Sequence, residues 1–241
     1  MTVLRFPSLG RAATIDDVVG RMRSILHSLP VGDGVAAFTR LYLTVTKAVR
    51  ATASAGRFED PGAIRWLDVM FANLFFDAFD ADSSGGRVPR AWAPLFAARA
   101  NRTILPLQFA LAGMNAHINR DLPVALVESC AQGRVTLDDG SAQHRDFLAV
   151  NALLAQTEDE AKRGLLDRFD AFLDVALGDL DDVVAMWDVE RARDAAWVNA
   201  QALWALRDAG PLRQAFLDSL DRTVGFAGRG LLRPLPLVAH G

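Results

Sequence analysis

The sequence is poor in the features that mark secreted and membrane proteins. Cys130 is the single cysteine among 241 residues, so no disulfide can form within the chain and an oxidising compartment is not indicated. The longest apolar runs, 69–76 and 104–114, fall short of the roughly 18 residues that a membrane-spanning helix needs. The N-terminus has no apolar core of signal-peptide length before its first charges. These absences predict a cytoplasmic protein without a membrane span.

Lysine is nearly absent, and the basic residues are not concentrated anywhere. Only Lys47 and Lys162 occur, and the other basic residues are arginines scattered along a chain of net charge -3. A nucleic-acid partner would require a basic face, so we expect none. The composition is globular, with 51% hydrophobic and 23% charged residues. The length suits one domain, which we predict over 1–241, with a helical core over 13–228 and a tail over 229–241.

Motifs for nucleophilic catalysis and nucleotide binding are also missing. The sequence contains no Gly-x-Ser-x-Gly, no Walker motif and no dinucleotide fingerprint. Cys130 lies in a predicted connection without an obvious histidine partner. We therefore predict no organic cofactor, while a divalent metal remains open.

What the sequence does contain is apolar residues at helical spacing, which predict an all-α bundle of roughly eight to nine helices. Thr14, Asp33 and Asp60 are predicted to begin the first three helices, the third running from Pro61 to about Phe79. Residues 80–87, DADSSGGR, are predicted to form a loop. Further helices are predicted at 88–100, 105–127, 143–156, 161–180, 183–209 and 212–224.

The helix predicted over 105–127 carries an unusual polar cluster. Its ends are apolar, but two turns in its middle contain Asn115, His117, Asn119, Arg120 and Asp121. A surface helix would spread its polar residues along one face, so this arrangement indicates a polar site inside a helical core. Pro123 cannot donate a backbone hydrogen bond to the carbonyl of Asn119, which predicts a kink at the cluster.

Several segments together resemble one known family. They are 33–46, 71–79, 91–92, 107–126 and 145–154, and the most specific is Met-Asn-Ala-His-Ile-Asn-Arg-Asp-Leu at 114–122. The chain resembles a bacterial domain-of-unknown-function family, number 5995, known for that signature. The resemblance implies an all-helical domain and no settled activity. The His-x-x-x-Asp pair is also faintly similar to helical zinc phosphoesterases, but those have several more histidines than the four here.

The chemistry of the cluster centres on His117 and Asp121, which lie one helical turn apart. Asp121 can hold one imidazole nitrogen and leave the other free as a general acid or base. Asn115 and Asn119 form a second pair, rotated by about 160 degrees from the first. All five polar residues therefore cannot face one pocket, and some must bind other helices.

Other interpretations of the same residues remain open. The asparagines could tie helices together, with Arg120 pairing Asp77 in a structural network. Asp77 could instead join His117 and Asp121 as a metal ligand, with Asp68 and Asn73 nearby on the same predicted helix. Trp197 belongs to a stripe with Gln201 and Trp204 that fits either core packing or the wall of an apolar pocket.

We hypothesise an enzyme for acid–base chemistry on an apolar small molecule, of isomerase, cyclase or lyase type, in small-molecule biosynthesis. His117 and Asp121 would be catalytic, and the substrate would be bound by Asn115, Asn119, Arg120, Asp77, Asn73 and Trp197. One alternative is a metal-dependent hydrolase using His117, Asp121 and Asp77. Another is a non-catalytic helical binding module. The sequence leaves a homodimer open.

Overall fold

The computed structural model describes residues 10–154 and 188–234, and within these ranges the ordered elements are helices without any strand. The elements are α1 (Ile15–Ser28), α2 (Gly34–Ser54), α3 (Pro61–Ser84), α4 (Ala93–Ala98), α5 (Pro106–Ala116), a π-helical turn (His117–Asp121), α6 (Leu122–Ala131), α7 (142–154), α8 (Val189–Ala205) and α9 (Gly210–Leu231). The prediction of an all-α fold is confirmed.

The first three helices begin where their capping residues predict. The Thr14 hydroxyl accepts the backbone N–H of Asp17, whose carboxylate in turn accepts the N–H of Thr14. This reciprocal capping box satisfies two donors that the first turn cannot pair internally. Asp33 and Asp60 cap α2 and α3 more simply, because each side chain accepts one backbone N–H of the first turn.

The loop predicted over 80–87 is wrong in its first half, because α3 continues to Ser84. Gly85 ends the helix in the left-handed conformation, with φ of 73°. Its last turn is acidic, and such a turn is unfavourable at the negative end of a helix dipole. Cations from neighbouring helices compensate, since Arg21 pairs with Asp80 and Arg99 pairs with Asp82.

The last helix is also longer than predicted, running from Gly210 to Leu231 instead of 212–224, which moves the predicted tail boundary beyond residue 229. One glycine of this helix, Gly225, allows close packing. A Cβ on Gly225 would lie 2.3 Å from the carbonyl oxygen of Arg90. The Gln108 side chain donates to the carbonyls of Leu231 and Arg233, which fastens the end of α9 to α5.

Of four other predicted segments, two agree with the structure in part, and two lie at least partly outside the described residues. The helix predicted at 88–100 is reduced to α4, and Trp92 lies just before it. Of the helix predicted over 183–209, the structure describes the part from residue 188, which forms α8. The helix predicted over 161–180 and the tail beyond residue 234 lie outside the described residues.

The segment 106–131 occupies the middle of the bundle. α5 packs mainly against α2 and α9, and α6 packs mainly against α8 and α3. Most residues of both helices are buried, so the polar cluster lies inside a helical core as predicted. None of the described helices combines the length and the apolar character that a membrane crossing requires.

The contact between α5 and α2 gives a test of this packing. A Cβ on Gly113 would lie 2.4 Å from the Phe38 ring, so Gly113→Ala should lower the free energy of unfolding by about 1–3 kcal/mol through overpacking. Gly20 is also inside a helix but has no neighbour within 4 Å of such a Cβ, so Gly20→Ala should stabilise by up to about 1 kcal/mol. Urea denaturation of both variants measures the difference, and equal effects would contradict this packing.

Candidate functional site

The polar cluster is built on a break in the helical hydrogen-bond pattern. The N–H of Leu122 donates to the carbonyl of His117, five residues back, which makes 117–121 a π-turn. Pro123 follows at once and has no N–H for the ordinary ladder. The sequence predicted a kink here, and the disruption takes the form of a π-turn instead. Such turns are frequent at functional sites because they re-aim the side chains around them.

His117 and Asp121 are in contact, as their spacing predicted. His117 Nδ1 lies 3.2 Å from Asp121 Oδ2, and both side chains are buried. The same carboxylate accepts the Trp92 indole N–H at 2.9 Å and an Arg120 N–H at 2.7 Å. Since a carboxylate accepts and the other two partners only donate, we assign the His117 proton to Nδ1. Nε2 then keeps its lone pair.

The Nε2 atom of His117 is buried and has no hydrogen-bond partner among the described residues. The ring stacks on Phe71, with 3.5 Å between centroids and 6° between planes, and Tyr42 meets it edge-on at 4.4 Å. Burial lowers the pKa of His117, and the hydrogen bond and charge of Asp121 only partly oppose this. The imidazole is therefore neutral at pH 7 and available as a base.

His117 lies in the wall of a cavity between α2, α3, α7, α8 and the segment 106–131. The space open to the centre of a water-sized sphere is about 60 Å³, several times what a single water needs. Most of the wall is apolar, including Val45, Leu67, Met114 and Phe147. The lining residues that carry polar or ionisable groups are Tyr42, Asp68, His117 and Arg193.

Asp68 is the acidic residue of this wall. It precedes Phe71 by three residues on α3, so the same helix face presents the carboxyl and the ring that stacks on His117. Asp68 as a residue is partly buried, but its Oδ2 is fully buried and unpartnered among the described groups. Burial raises the pKa of Asp68 to about 7, against the opposing charge of Arg193.

Arg193 and Tyr42 complete the polar lining. Arg193 donates to Asn151 Oδ1 at 2.5 Å and to the carbonyl of Phe147 at 3.0 Å, and burial lowers its pKa to about 10. Burial, with the charges of Asp68 and Asp121, raises the pKa of Tyr42 well above its usual value. The nearby Thr46 hydroxyl lowers the pKa of Tyr42, but by less than burial raises it. The hydroxyls of Tyr42 and Thr46 do not reach hydrogen-bond geometry, and both are unpartnered in the described structure.

The other polar residues of the cluster bind neighbouring helices, as helical geometry required for some of them. Asn115 donates to the carbonyl of Val224 on α9, and Asn119 donates to Asn115. Arg120 connects Asp121 to Asp221, whose carboxylate accepts the backbone N–H groups of residues 90 and 91. These residues join the π-turn to α9, and none of the three lines the cavity.

Three residues predicted to contact substrate lie away from the cavity wall. Asp77 is half exposed and pairs with Arg11 at 3.4 Å, so it pairs neither with Arg120 nor with the His117–Asp121 couple. Asn73 exchanges two hydrogen bonds with the backbone of Ala12. The Trp197 indole donates to Asp139, and its ring packs against α7. Each is held by partners that come from another part of the chain, which helical spacing could not reveal.

The proposed metal set therefore needs correction. Because Asp77 pairs with Arg11, it does not complete a ligand set with His117 and Asp121. Within the part of the chain that the structure describes, no three His, Cys, Asp or Glu side chains come together as metal ligands.

Sequence reasoning missed Tyr42 and Arg193 as lining residues. Tyr42 is the only tyrosine in the chain, which is a weak signal. No sequence signal pointed to Arg193, because it lies among other charged residues of α8 and reaches the cavity through the packing of α8 on α6.

The raised pKa of Asp68 predicts how stability depends on pH. The folded carboxyl titrates near 7 and the unfolded one near 4, so stability falls as the pH rises between these values. Asp68→Asn removes this loss. The difference in free energy of unfolding between the variant and the wild type should therefore shift in favour of the variant by on the order of 2 kcal/mol from pH 5 to pH 8. Urea denaturation at both pH values measures it. The exposed Asp208→Asn is the control, and an equal response of both variants would contradict the prediction.

Comparison with known proteins places the chain in a family. The model of a family of unknown function (DUF5995) matches residues 15–234. No curated protein and no solved structure matches the chain. The match spans all the described helices and includes the π-turn with its His117–Asp121 pair. The family resemblance noted in the sequence is thus confirmed, and the chain belongs to the family of unknown function DUF5995.

Proposed function

We propose that this protein is an enzyme for cofactor-independent acid–base chemistry on a largely apolar small molecule, of isomerase, cyclase or lyase type. The observation that supports the proposal is that one apolar cavity is lined by three residues, His117, Asp68 and Tyr42, each with a buried polar atom that has no partner among the described residues. Buried polar atoms are nearly always hydrogen-bonded, and each exception costs about 1–3 kcal/mol. Three such groups around one space fit a site that pairs them with a polar group of a ligand.

His117 is the proposed base. Its Nε2 lone pair can accept a proton, and the adjacent Asp121 carboxylate would stabilise the imidazolium that results. Trp92 and Arg120 hold that carboxylate in place, so the imidazole needs no reorganisation before it reacts. The proposed roles are thus proton transfer for His117 and orientation for Asp121.

The rest of the site agrees with chemistry that needs neither nucleophile nor redox group. Burial raises the pKa of the Cys130 thiol, and Cys130 does not line the cavity. A thiol is a weak nucleophile compared with its thiolate. Isomerisation, cyclisation and elimination can proceed by proton transfer alone, which the neutral imidazole supports.

A non-catalytic binding protein is the second candidate, because the same apolar cavity would also hold a ligand without turning it over. Turnover distinguishes the two. We further propose the cytoplasm as the location and a small molecule as the partner, as the sequence suggests. A homodimer stays a prediction, which light scattering on the purified protein would test.

The assigned tautomer of His117 gives a test that needs no substrate. A long-range proton–nitrogen correlation spectrum of labelled protein at pH 7 should show a neutral ring protonated on Nδ1, because Asp121 accepts from that nitrogen. The signal is identified by its loss in His117→Gln. A charged ring, or a proton on Nε2, would contradict the role of base.

Catalysis itself is testable by proton exchange. If His117 removes a proton from carbon, the protein should incorporate deuterium from D2O into small apolar ketones, followed by NMR across a panel that begins with cyclohexanone. His117→Gln should slow this incorporation by about 10²-fold or more. The matched control is His144→Gln, because His144 packs on Trp197 away from the cavity.

Both variants must first give the wild-type circular dichroism spectrum and a cooperative melt. Equal exchange in wild type and folded His117→Gln would reject His117 as the base. A panel of ketones that binds to the wild type without exchange would favour the binding protein.

A further inference from the structure

We infer that the ligand of this cavity is an uncharged, largely apolar molecule bearing one carbonyl or hydroxyl oxygen, and that Asp68 donates a hydrogen bond to that oxygen. The role of Asp68 as the acid that complements His117 rests on the proposed function. The class of ligand does not, because it follows from what lines the cavity.

The hydrogen-bonding inventory of the wall matches a neutral oxygen. His117 Nε2 offers only a lone pair in the assigned tautomer, whereas the Tyr42 hydroxyl can donate or accept. A protonated Asp68 supplies a further donor, since its Oδ2 has no partner among the residues that the structure describes. A carbonyl oxygen would accept from Asp68 or Tyr42, and a hydroxyl could in addition donate to His117.

The surroundings of the cavity disfavour charge of either sign. Burial raises the pKa values of Asp68 and Tyr42 and lowers those of His117 and Arg193, so it moves all four groups toward their neutral forms. Burial has this effect on Asp68 and Arg193 even though the attraction between their opposite charges favours the ionised form of each. A charged ligand would suffer the same loss of hydration, whereas a neutral oxygen with hydrogen-bond partners would not.

Arg193 is the feature that could instead favour an anion. Its guanidinium, however, donates to Asn151 and to the carbonyl of Phe147, and lies 4.1 Å from the centre of the Phe147 ring. Asp194 and Asp68 both interact with its charge. These contacts engage Arg193 in fastening α8 to α7, so we do not assign it as the anchor of a carboxylate.

For a ketone, the proton transfers balance without a co-reactant. His117 Nε2 takes a proton from the carbon next to the carbonyl, and the electron pair of that C–H bond forms a carbon–carbon double bond. The π electrons of the carbonyl move to its oxygen, which takes the proton of Asp68. In the reverse direction the enol returns its proton to Asp68, and His117 delivers a proton to carbon, at the original position or at a conjugated one.

The experiment compares neutral and anionic probes of equal size on the full chain. Cyclohexanone, cyclohexanol and cyclohexanecarboxylate are titrated into labelled protein at pH 6 and pH 8.5, and affinities are taken from chemical-shift changes. The two neutral probes should bind at least tenfold more tightly than the carboxylate at pH 6. Their affinity should fall at least threefold at pH 8.5, because ionised Asp68 no longer donates.

Variants assign the pH dependence to a residue. Asp68→Asn keeps a donor that does not titrate, so its affinity for cyclohexanone should change less than twofold between the two pH values. Asp208→Asn, an exposed acid on the connection after α8, should behave as wild type. Arg193, His117 and Tyr42 face the cavity in every variant, so any titration of theirs is common to all.

Three results would overturn the inference: tighter binding of the carboxylate, binding of none of the neutral probes, or a pH dependence that persists in Asp68→Asn. The results distinguish a failure of this inference from a failure of the proposed function. Binding that depends on Asp68 without deuterium exchange would reject the enzyme and keep the ligand class. Exchange that depends on His117, together with probe affinities that do not depend on Asp68, would reject the inference and keep the enzyme.

Discussion

The buried carboxylate of Asp121 is the constraint on which the centre of this molecule depends. It has no exposed surface and accepts hydrogen bonds from Trp92, His117 and Arg120. Removing a carboxylate from water costs several kcal/mol unless such partners replace the hydration. The three donors come from the segment before α4 and from the π-turn itself. Through Arg120 and Asp221 the network extends to α9, so the acid that is costly to bury also fixes how these elements meet.

The Asp121 carboxylate also determines which ring nitrogen of His117 is engaged in a hydrogen bond. Because it binds Nδ1, Nε2 is the ring nitrogen left without a partner among the described residues, and His117 itself lines the apolar cavity. α3 then contributes Phe71, which stacks on the ring, and Asp68, whose pKa burial raises to about 7. Within the described part of the chain, the arrangement leaves several buried polar atoms without a partner, a cost that folding alone does not explain. It is the reason we propose a functional site here.

Helix starts were more predictable than helix ends. Thr14, Asp33 and Asp60 begin their helices because a cap is a local hydrogen bond between residues two or three apart. The ends of α3 and α9 depend on distant partners instead. Arg21 and Arg99 stabilise the acidic last turn of α3, and the Gln108 side chain binds the carbonyls of Leu231 and Arg233 at the end of α9. No pattern within either helix carries that information.

The sequence by itself determined the all-α class, the helix starts, the burial of a polar cluster at 115–121 and the His117–Asp121 contact, because these follow from periodicity and from spacing within one helix. Only the tertiary structure decided which other residues share the site. It brought Tyr42, Asp68 and Arg193 to the cavity from three different helices and paired Asp77 with Arg11 instead. The physical reason is that a cavity is a gap between packed helices, and its lining is set by how those helices dock on one another.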